Sequence, residues 1–239
     1  MALDGSVRNR IERIIVEYRQ RATLREHGLE PLRKLLLLGP PGTGKTMTAG
    51  VLAGELGLPL FAIQLDGLIT KFLGETAAKL RVIFDTIQET RAVYLFDEFD
   101  ALGGERAARN EVGEIRRVLN SFLQFLELDN SDSLVIAATN HAQLLDRALF
   151  RRFDSVVEYL LPSRTCSEQV LKARLALLDT RGVDWAKVLA EAEGLSHADL
   201  TRAVEQAAKD AILAKRRQIE TTKIIEALKE RRRAQNRST

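Results

Sequence analysis

Cysteine and histidine are scarce in this sequence of 239 residues. It has one cysteine, Cys166, and three histidines that lie far apart, His27, His141 and His197. A single cysteine excludes an intramolecular disulfide and a cysteine-based zinc site. The histidines do not have the spacing of metal ligands. We therefore expect a protein of a reducing, intracellular compartment without a structural metal site.

Long apolar runs and a large excess of one charge are also missing. No apolar run approaches the ~20 residues that span a bilayer, and residues 1–6 lack the charged start and apolar middle of a signal peptide. The 36 lysines and arginines nearly balance the 33 aspartates and glutamates, which leaves a net charge of +3. So small an imbalance gives little support for nucleic-acid binding. We expect a cytoplasmic protein with neither a membrane nor a nucleic acid as partner.

What the sequence does have is a regular alternation of short apolar runs with helix-like segments. Hydrophobic residues make up 45% of the chain, which is enough for a substantial core. The apolar runs predict strands, and apolar residues spaced i, i+3, i+4 and i+7 predict helices. The predicted strands are 34–38, 59–65, 92–96, 133–138 and 155–161, and the predicted helices are 8–25, 46–57, 76–90 and 110–128. This order predicts an α/β fold whose parallel sheet is sandwiched by helices.

The pattern changes near Pro162. Beyond this residue the strand-like runs stop, and helical periodicity takes over in 165–178, 184–192, 196–217 and 221–234. We therefore predict two domains, a large α/β domain over residues 1–162 and a small all-helical domain over residues 163–239.

The strongest motif is Gly-Pro-Pro-Gly-Thr-Gly-Lys-Thr at residues 39–46, between a predicted strand and a predicted helix. It matches the P-loop pattern of NTPases in the context that the pattern requires. Small residues let successive backbone N–H groups point at phosphate oxygens. Lys45 can reach the β- and γ-phosphates, and the Thr46 hydroxyl can ligate Mg²⁺. An ordinary glycine-rich turn is the alternative, but motif and context agree on nucleotide binding. The predicted nucleotide-binding residues of this segment are Pro41, Gly42, Thr43, Gly44, Lys45, Thr46 and Met47.

A second motif is the pair of acids, Asp97 and Glu98, that ends the predicted strand 92–96. The carboxyl edge of a parallel sheet is where ligands bind in such folds. Asp97 is suited to hold Mg²⁺ through a water molecule, and Glu98 is suited to polarise the attacking water. The alternative is that these are solvated acids at a strand end, but the P-loop earlier in the sequence makes that interpretation the weaker one.

These motifs, with those described next, resemble the AAA+ ATPases, and in particular the core AAA clade of protein-remodelling motors. The resemblance extends from about Ile11 to Leu228. It implies ATP and Mg²⁺ as cofactors. It also implies a ring, in this family a hexamer, with ATP between neighbouring subunits and the helical domain as a lid.

The resemblance assigns further site residues. Asn140 ends a predicted strand and looks like the family's sensor 1, which helps to position the lytic water. Arg151 and Arg152 look like the family's arginine fingers, which reach a neighbouring subunit's γ-phosphate; a common family form has Pro-Gly between them, so the main finger stays open. His197 and Ala198 fall in a segment that packs near the nucleotide in this family, and His197 replaces its usual glycine. A helix-start histidine in solvent is the alternative for His197.

A pore loop is the last feature that the resemblance implies. Lys71, Phe72 and Leu73 look like the family's first pore loop, which grips extended polypeptide in the ring's channel. An aromatic side chain offers a large apolar face at little entropic cost. From spacing alone, Phe72 and Leu73 would be interpreted as core residues before a helix, and it is the resemblance that favours the pore loop.

The function that these expectations favour is ATP hydrolysis by a ring-forming motor that threads, unfolds or disassembles a protein client. No protease motif of the form His-Glu-x-x-His is present, so any proteolysis would need a separate peptidase or adaptor subunit. Two alternatives stay open: a nucleic-acid-associated ATPase of the initiator or loader type, and a nucleotide-gated assembly scaffold.

Overall fold

Five parallel strands form one sheet within the described residues. The computed structural model describes residues 2–65, 68, 73–102, 112–145 and 147–235. The strands are β1 (Lys34–Leu38), β2 (Leu60–Gln64), β3 (Val93–Asp97), β4 (Leu134–Thr139) and β5 (Ser155–Glu158). Their order across the sheet is β2-β3-β4-β1-β5. In the register, Leu36 of β1 lies beside Ala137 of β4 and Val156 of β5.

Helices connect and flank these strands. In the sheet-containing part they are α1 (Gly5–Arg19), α2 (Arg21–Glu26), α3 (Lys45–Leu56), α4 (Leu73–Glu89), α5 (Val112–Leu128) and the short α6 (Arg147–Phe150). After the last strand come α7 (Arg164–Arg174), α8 (Trp185–Ala192), α9 (His197–Leu213) and α10 (Thr221–Gln235). None of the described helices has the length and apolar character that crossing a bilayer requires.

The central strands β1, β3 and β4 are buried on both faces, which is why they are apolar runs and do not alternate with polar residues. The edge strand β2 is largely exposed. Leu35, Leu36 and Leu37 follow one another in β1, and all three are fully buried. Because successive side chains of a strand point to opposite faces, Leu36 packs into the cluster formed with α4 and α5. Helix α3 packs on β2, β3 and β4.

The core on the α4–α5 side is aromatic. Phe84 of α4, Phe96 of β3 and Phe122 of α5 contact one another with ring centroids 5.0–5.9 Å apart. Phe99, just after β3, adds an edge contact to Phe122 at 4.9 Å. These contacts hold the carboxyl end of β3, which bears the two predicted acids, against a rigid core.

The helical part has its own core. Buried residues of α7, α8, α9 and α10 form it, among them Leu171, Val188, Leu200 and Leu228. The chain divides into two compact units: one is the described chain from residue 160 onward with residues 40–44 and those before Ser6, and the other comprises 6–39 and 45–159. The predicted domain boundary at residue 162 stays a prediction.

The predicted fold class, a parallel sheet flanked by helices and followed by a helical part, is confirmed. Several predicted elements differ in extent; α7 and α9, for example, each end four residues before the predicted end. The helix expected over 8–25 is broken at Gln20. Next to the break, the Arg21 guanidinium donates a hydrogen bond to the Tyr18 carbonyl at 3.1 Å. The strand expected to reach residue 161 ends at Glu158, because its partner strand β1 ends at Leu38 and turns into the P-loop.

Candidate nucleotide-binding site

Three neighbouring strands bring the predicted site residues to one edge of the sheet. β3, β4 and β1 lie side by side, and all three run in the same direction. Their carboxyl ends carry Asp97, Asn140 and Gly39 respectively. Sequence-distant residues therefore meet at the edge where open α/β sheets bind ligands.

Gly39 starts the P-loop in a conformation that excludes other residues. Its φ is +142°, and a Cβ atom there would lie 2.1 Å from the carbonyl oxygen of Tyr159. The Tyr159 N–H donates to the Leu38 carbonyl at 2.7 Å, and its hydroxyl donates to Thr48 Oγ1 at 2.7 Å. Burial raises the pKa of Tyr159 to about 12. The loop thus leaves β1 tightly against the end of β5.

Lys45 is held at the end of the strands by two oxygens. Its Nζ donates to the Gly39 carbonyl at 2.6 Å and to Asn140 Oδ1 at 2.7 Å. Burial lowers the pKa of the Lys45 ammonium, and the carboxylates of Asp97 and Asp100 oppose that shift. A buried cation beside backbone and amide oxygens is suited to bind phosphate, which would bring full negative charge.

Thr46 and Asp97 supply the oxygens that a hard cation prefers. The Thr46 hydroxyl donates to Asp97 Oδ2 at 2.7 Å, and the Glu98 N–H donates to Asp97 Oδ1 at 3.0 Å. A hydroxyl and a carboxylate at this separation fit the partial oxygen shell that proteins give Mg²⁺ when phosphates complete it. Met47, one residue further along α3, has an exposed side chain.

Glu98 has a left-handed backbone with φ of +54° and an exposed side chain. Such a conformation costs a residue with a Cβ atom about 1–2 kcal/mol. Non-glycine residues in this region cluster at functional sites, where surrounding contacts hold them in place. The turn directs the chain from the strand into the 3-10 segment Phe99–Leu102.

Residues 40–44 of the P-loop belong to the unit that contains the C-terminal helices. The Ala198 N–H donates to the Gly42 carbonyl at 3.0 Å. A Cβ on Gly42, whose φ is +75°, would lie 2.6 Å from Ser196 Oγ. Within this part of the loop, Thr43 Oγ1 donates to the Pro40 carbonyl at 2.8 Å. The start of α9 therefore contacts the loop directly.

His197 has a different environment from its neighbour Ala198. Its Nε2 lies 3.3 Å from Cys166 Sγ. Burial lowers the pKa of this imidazole. The side chain that replaces the family's usual glycine thus packs against α7, and its proposed contact with nucleotide stays a prediction.

Arg151 and Arg152 follow α6 and both are exposed, but they differ in their contacts. The Arg152 guanidinium forms an ion pair with Glu127 of α5. The Arg151 side chain forms no ion pair or hydrogen bond with any residue that the structure describes. The two adjacent arginines therefore differ in their ion pairing within one chain.

The predicted pore loop falls largely outside the described residues. Lys71 and Phe72 lie there, and Leu73 is described only as the first residue of α4. Their roles stay predictions.

One residue of the site was not predicted from the sequence. Asp100 Oδ1 accepts hydrogen bonds from Thr139 Oγ1 at 2.8 Å and from the Asn140 N–H at 3.3 Å. The available signal was a third acid, two residues after Glu98, in the run Asp-Glu-Phe-Asp.

Comparisons with known proteins agree with this geometry. The model of the family described as "ATPase family associated with various cellular activities (AAA)" matches residues 35–161. An uncharacterized AAA family ATPase of Sinorhizobium fredii is 40% identical over 92% of this chain and 67% of its own length. A proteasome-activating nucleotidase of Aeropyrum pernix is 36% identical over 95% of this chain and 57% of its own length. An ATP-dependent zinc metalloprotease, FtsH, of Lancefieldella parvula is 37% identical over 85% of this chain and 33% of its own length. The chain thus spans between one third and two thirds of these curated relatives.

Proposed function

The chain belongs to the AAA family and is an ATPase, and from this premise we propose that it works as one subunit of a ring, a hexamer, that moves polypeptide through a central pore. The observation that carries the catalytic part is the meeting of Lys45, Asn140, Thr46 and Asp97 at adjacent strand ends. The ring, the client and the pore are proposals built on that part.

Each residue of the site has a proposed task. Residues 41–47 bind the phosphates, and Lys45 exchanges its contacts with Gly39 and Asn140 for phosphate oxygens. Glu98 polarises the attacking water, and Asn140 orients that water near the γ-phosphate. Ala198 and His197 are proposed to contact the nucleotide.

Thr46 and Asp97 are the residues proposed to hold Mg²⁺, Thr46 directly and Asp97 through water. When bound, the ion neutralises charge on the phosphate oxygens. The hydrogen bond between these two side chains supports the assignment, because it holds their oxygens close together.

The proposal assigns Arg151 as the main arginine that reaches a neighbouring subunit. Arg152 is engaged by Glu127 within its own chain, whereas Arg151 is exposed and has no ion pair with a described residue. A guanidinium can bind developing phosphoryl charge with two N–H groups. Such a finger contributes on the order of 10³–10⁵ in rate.

Polypeptide is the proposed substrate of the motor. Two relatives have names that concern ATP-coupled protein processing, a proteasome-activating nucleotidase and an ATP-dependent metalloprotease. The near balance of 36 basic and 33 acidic residues does not favour a nucleic-acid track. Any peptidase or adaptor that works with this chain is proposed to be a separate subunit.

The test is steady-state ATP turnover at protein concentrations where rings form. Turnover is measured alone, with an unfolded polypeptide and with single-stranded DNA, for wild type, Phe72→Ala and Phe72→Tyr. We expect polypeptide to stimulate wild type and Phe72→Tyr, which keeps an aromatic ring, but not Phe72→Ala. Stimulation by DNA instead would favour an initiator or loader, and indifference to both polymers would favour a nucleotide-gated scaffold; either result would overturn the threading proposal.

A further inference from the structure

Asp100 connects the turn after β3 to the end of β4. Its Oδ1 accepts a hydrogen bond from the Thr139 hydroxyl at 2.8 Å and a longer one from the Asn140 N–H at 3.3 Å. Thr139 is fully buried, and its Oγ1 in turn accepts the His141 N–H at 3.0 Å. One carboxylate oxygen thus fixes the backbone on which Asn140 stands.

The position of Asp100 is itself fixed by the residue before it. Phe99 is fully buried, and its ring contacts Phe122 at 4.9 Å and Phe153 at 6.4 Å between centroids. Because Phe99 is anchored in the core, the 3-10 segment holds Asp100 beside the end of β4. The carboxylate is therefore a fixed reference for the end of β4.

We propose that Asp100 is a positioning residue that holds Asn140 in the orientation needed for ATP hydrolysis. By fixing the Asn140 N–H, it sets the direction of the amide side chain, whose Oδ1 lies 2.7 Å from Lys45 Nζ. A reacting group displaced by about 1 Å can lose on the order of a hundredfold in rate. The inference rests on the proposed role of Asn140 in turnover and is independent of the pore and the client.

Asp100 also acts through its charge. It is one of two carboxylates that raise the pKa of Lys45 against the effect of burial. The hydrogen bonds and the charge can be separated, because an asparagine at this position keeps an oxygen acceptor but loses the charge. Recovery of turnover in Asp100→Asn, relative to Asp100→Ala, therefore measures how much turnover depends on the hydrogen bonds.

The experiment compares Asp100→Ala, Asp100→Asn and Thr139→Val in basal ATP turnover, without any polymer. For each variant kcat, KM and the Kd of a fluorescent ATP analogue are measured. We expect Asp100→Ala to lower kcat about ten- to hundredfold with KM and Kd changed less than about threefold, since the P-loop contacts remain. Asp100→Asn is expected to recover most of kcat. Thr139→Val keeps the side-chain shape but removes the hydroxyl, and should lower kcat in the same way.

Two further variants make the outcome decisive. Asp85→Ala removes an exposed acid of α4 and should leave kcat unchanged. If Asn140→Ala lowers kcat while Asp100→Ala and Thr139→Val do not, the positioning role is wrong although the site stands. If Asn140→Ala itself leaves kcat unchanged, the proposed role of Asn140 fails and the inference fails with it. If Asp100→Ala does not fold, the result for Thr139→Val decides alone. A higher Kd for the ATP analogue and a lower melting temperature, with normal kcat, would overturn the proposal.

Discussion

The P-loop places unusual demands on single residues, and Gly39 shows them most clearly. Its backbone has a positive φ, and the space where a side chain would begin is filled by the Tyr159 carbonyl. Glu98 is the opposite case, because it keeps a side chain in a left-handed conformation that favours glycine. Glycine at residue 98 would relieve the strain but remove the carboxylate that the proposed mechanism needs.

Gly39→Ala is predicted to damage both folding and nucleotide binding. The new methyl group would meet a backbone oxygen at 2.1 Å, so β1 and β5 must separate or the loop must move. We expect the free energy of unfolding to fall by about 1–3 kcal/mol from overpacking, beyond the cost of about 1–2 kcal/mol for alanine at a positive φ. Urea unfolding and the Kd of a fluorescent ATP analogue test this.

Gly57→Ala is the matched control for that substitution. Gly57 follows α3 with a φ of +64°, and no atom lies within 4 Å of the site where its Cβ would be. An alanine at this position therefore has the strain of a positive φ, although at a smaller angle than at Gly39, without the collision. Equal losses of stability in both variants, with ATP affinity intact in Gly39→Ala, would contradict the role given to the Tyr159 contact.

At the scale of elements, local patterns predicted the central strands β1, β3 and β4 because burial on both faces leaves continuous apolar runs. The strand predicted over 34–38 is β1 itself, and α5 ends at Leu128 as its periodicity indicated. The break at Gln20 was not predictable from periodicity; at this position the Arg21 guanidinium donates a hydrogen bond to the Tyr18 carbonyl. Local sequence fixes which elements form more firmly than where they end.

The site residues also differ in whether local sequence could predict them. The P-loop, Asp97 and Glu98 were predictable because their chemistry lies in a short contiguous motif. The link from Asp100 to Thr139 was not, because it joins residues 39 positions apart through the pairing of β3 with β4. Likewise, only the packing of the chain brings Glu127 to Arg152 and so makes adjacent arginines unequal.

Lys34, the first residue of β1, gives a prediction about pH. Its partly buried ammonium borders a cavity of about 630 Å³, and no described residue forms an ion pair with it. Burial and the neighbouring Arg33 lower the pKa of Lys34. Lys34→Met should therefore raise stability at neutral pH, by less than about 1 kcal/mol because solvent screens a half-exposed group.

The pH dependence of the stability gain distinguishes removal of the partly buried lysine charge from added apolar packing. A lysine whose pKa is lowered by folding destabilises the native state fully at pH values below the pKa of the folded state. The effect disappears as the pH rises to the ordinary pKa of lysine in the unfolded chain. The gap in melting temperature between Lys34→Met and wild type should therefore close over that alkaline range. Lys79→Met, at an exposed residue of α4, should show no such gap. A gap that stays constant with pH would assign the gain to packing.

At the scale of the whole molecule, the proposed phosphate- and Mg²⁺-binding residues of one chain interact with one another, and the proposed arginine comes from a neighbouring subunit. Lys45, Asn140, Thr46 and Asp97 interact within the chain, and Arg152 is held by Glu127. Arg151 is exposed, with no ion pair to any described residue. An ATPase site completed by a neighbour would make turnover depend on assembly, so activity per subunit should rise with protein concentration.

Mixing inactive variants tests whether Arg151 acts between subunits. Arg151→Ala should lower turnover by on the order of 10³ or more while ATP still binds, and Lys45→Ala should not bind ATP because the buried cation is lost. In mixed rings, an Arg151→Ala subunit binds ATP and receives Arg151 from a Lys45→Ala neighbour, so partial turnover should return. Arg152→Ala should lose less activity alone, because this arginine is already engaged by Glu127. Mixed rings verified by native mass spectrometry that show no recovered turnover would place Arg151 outside the shared site.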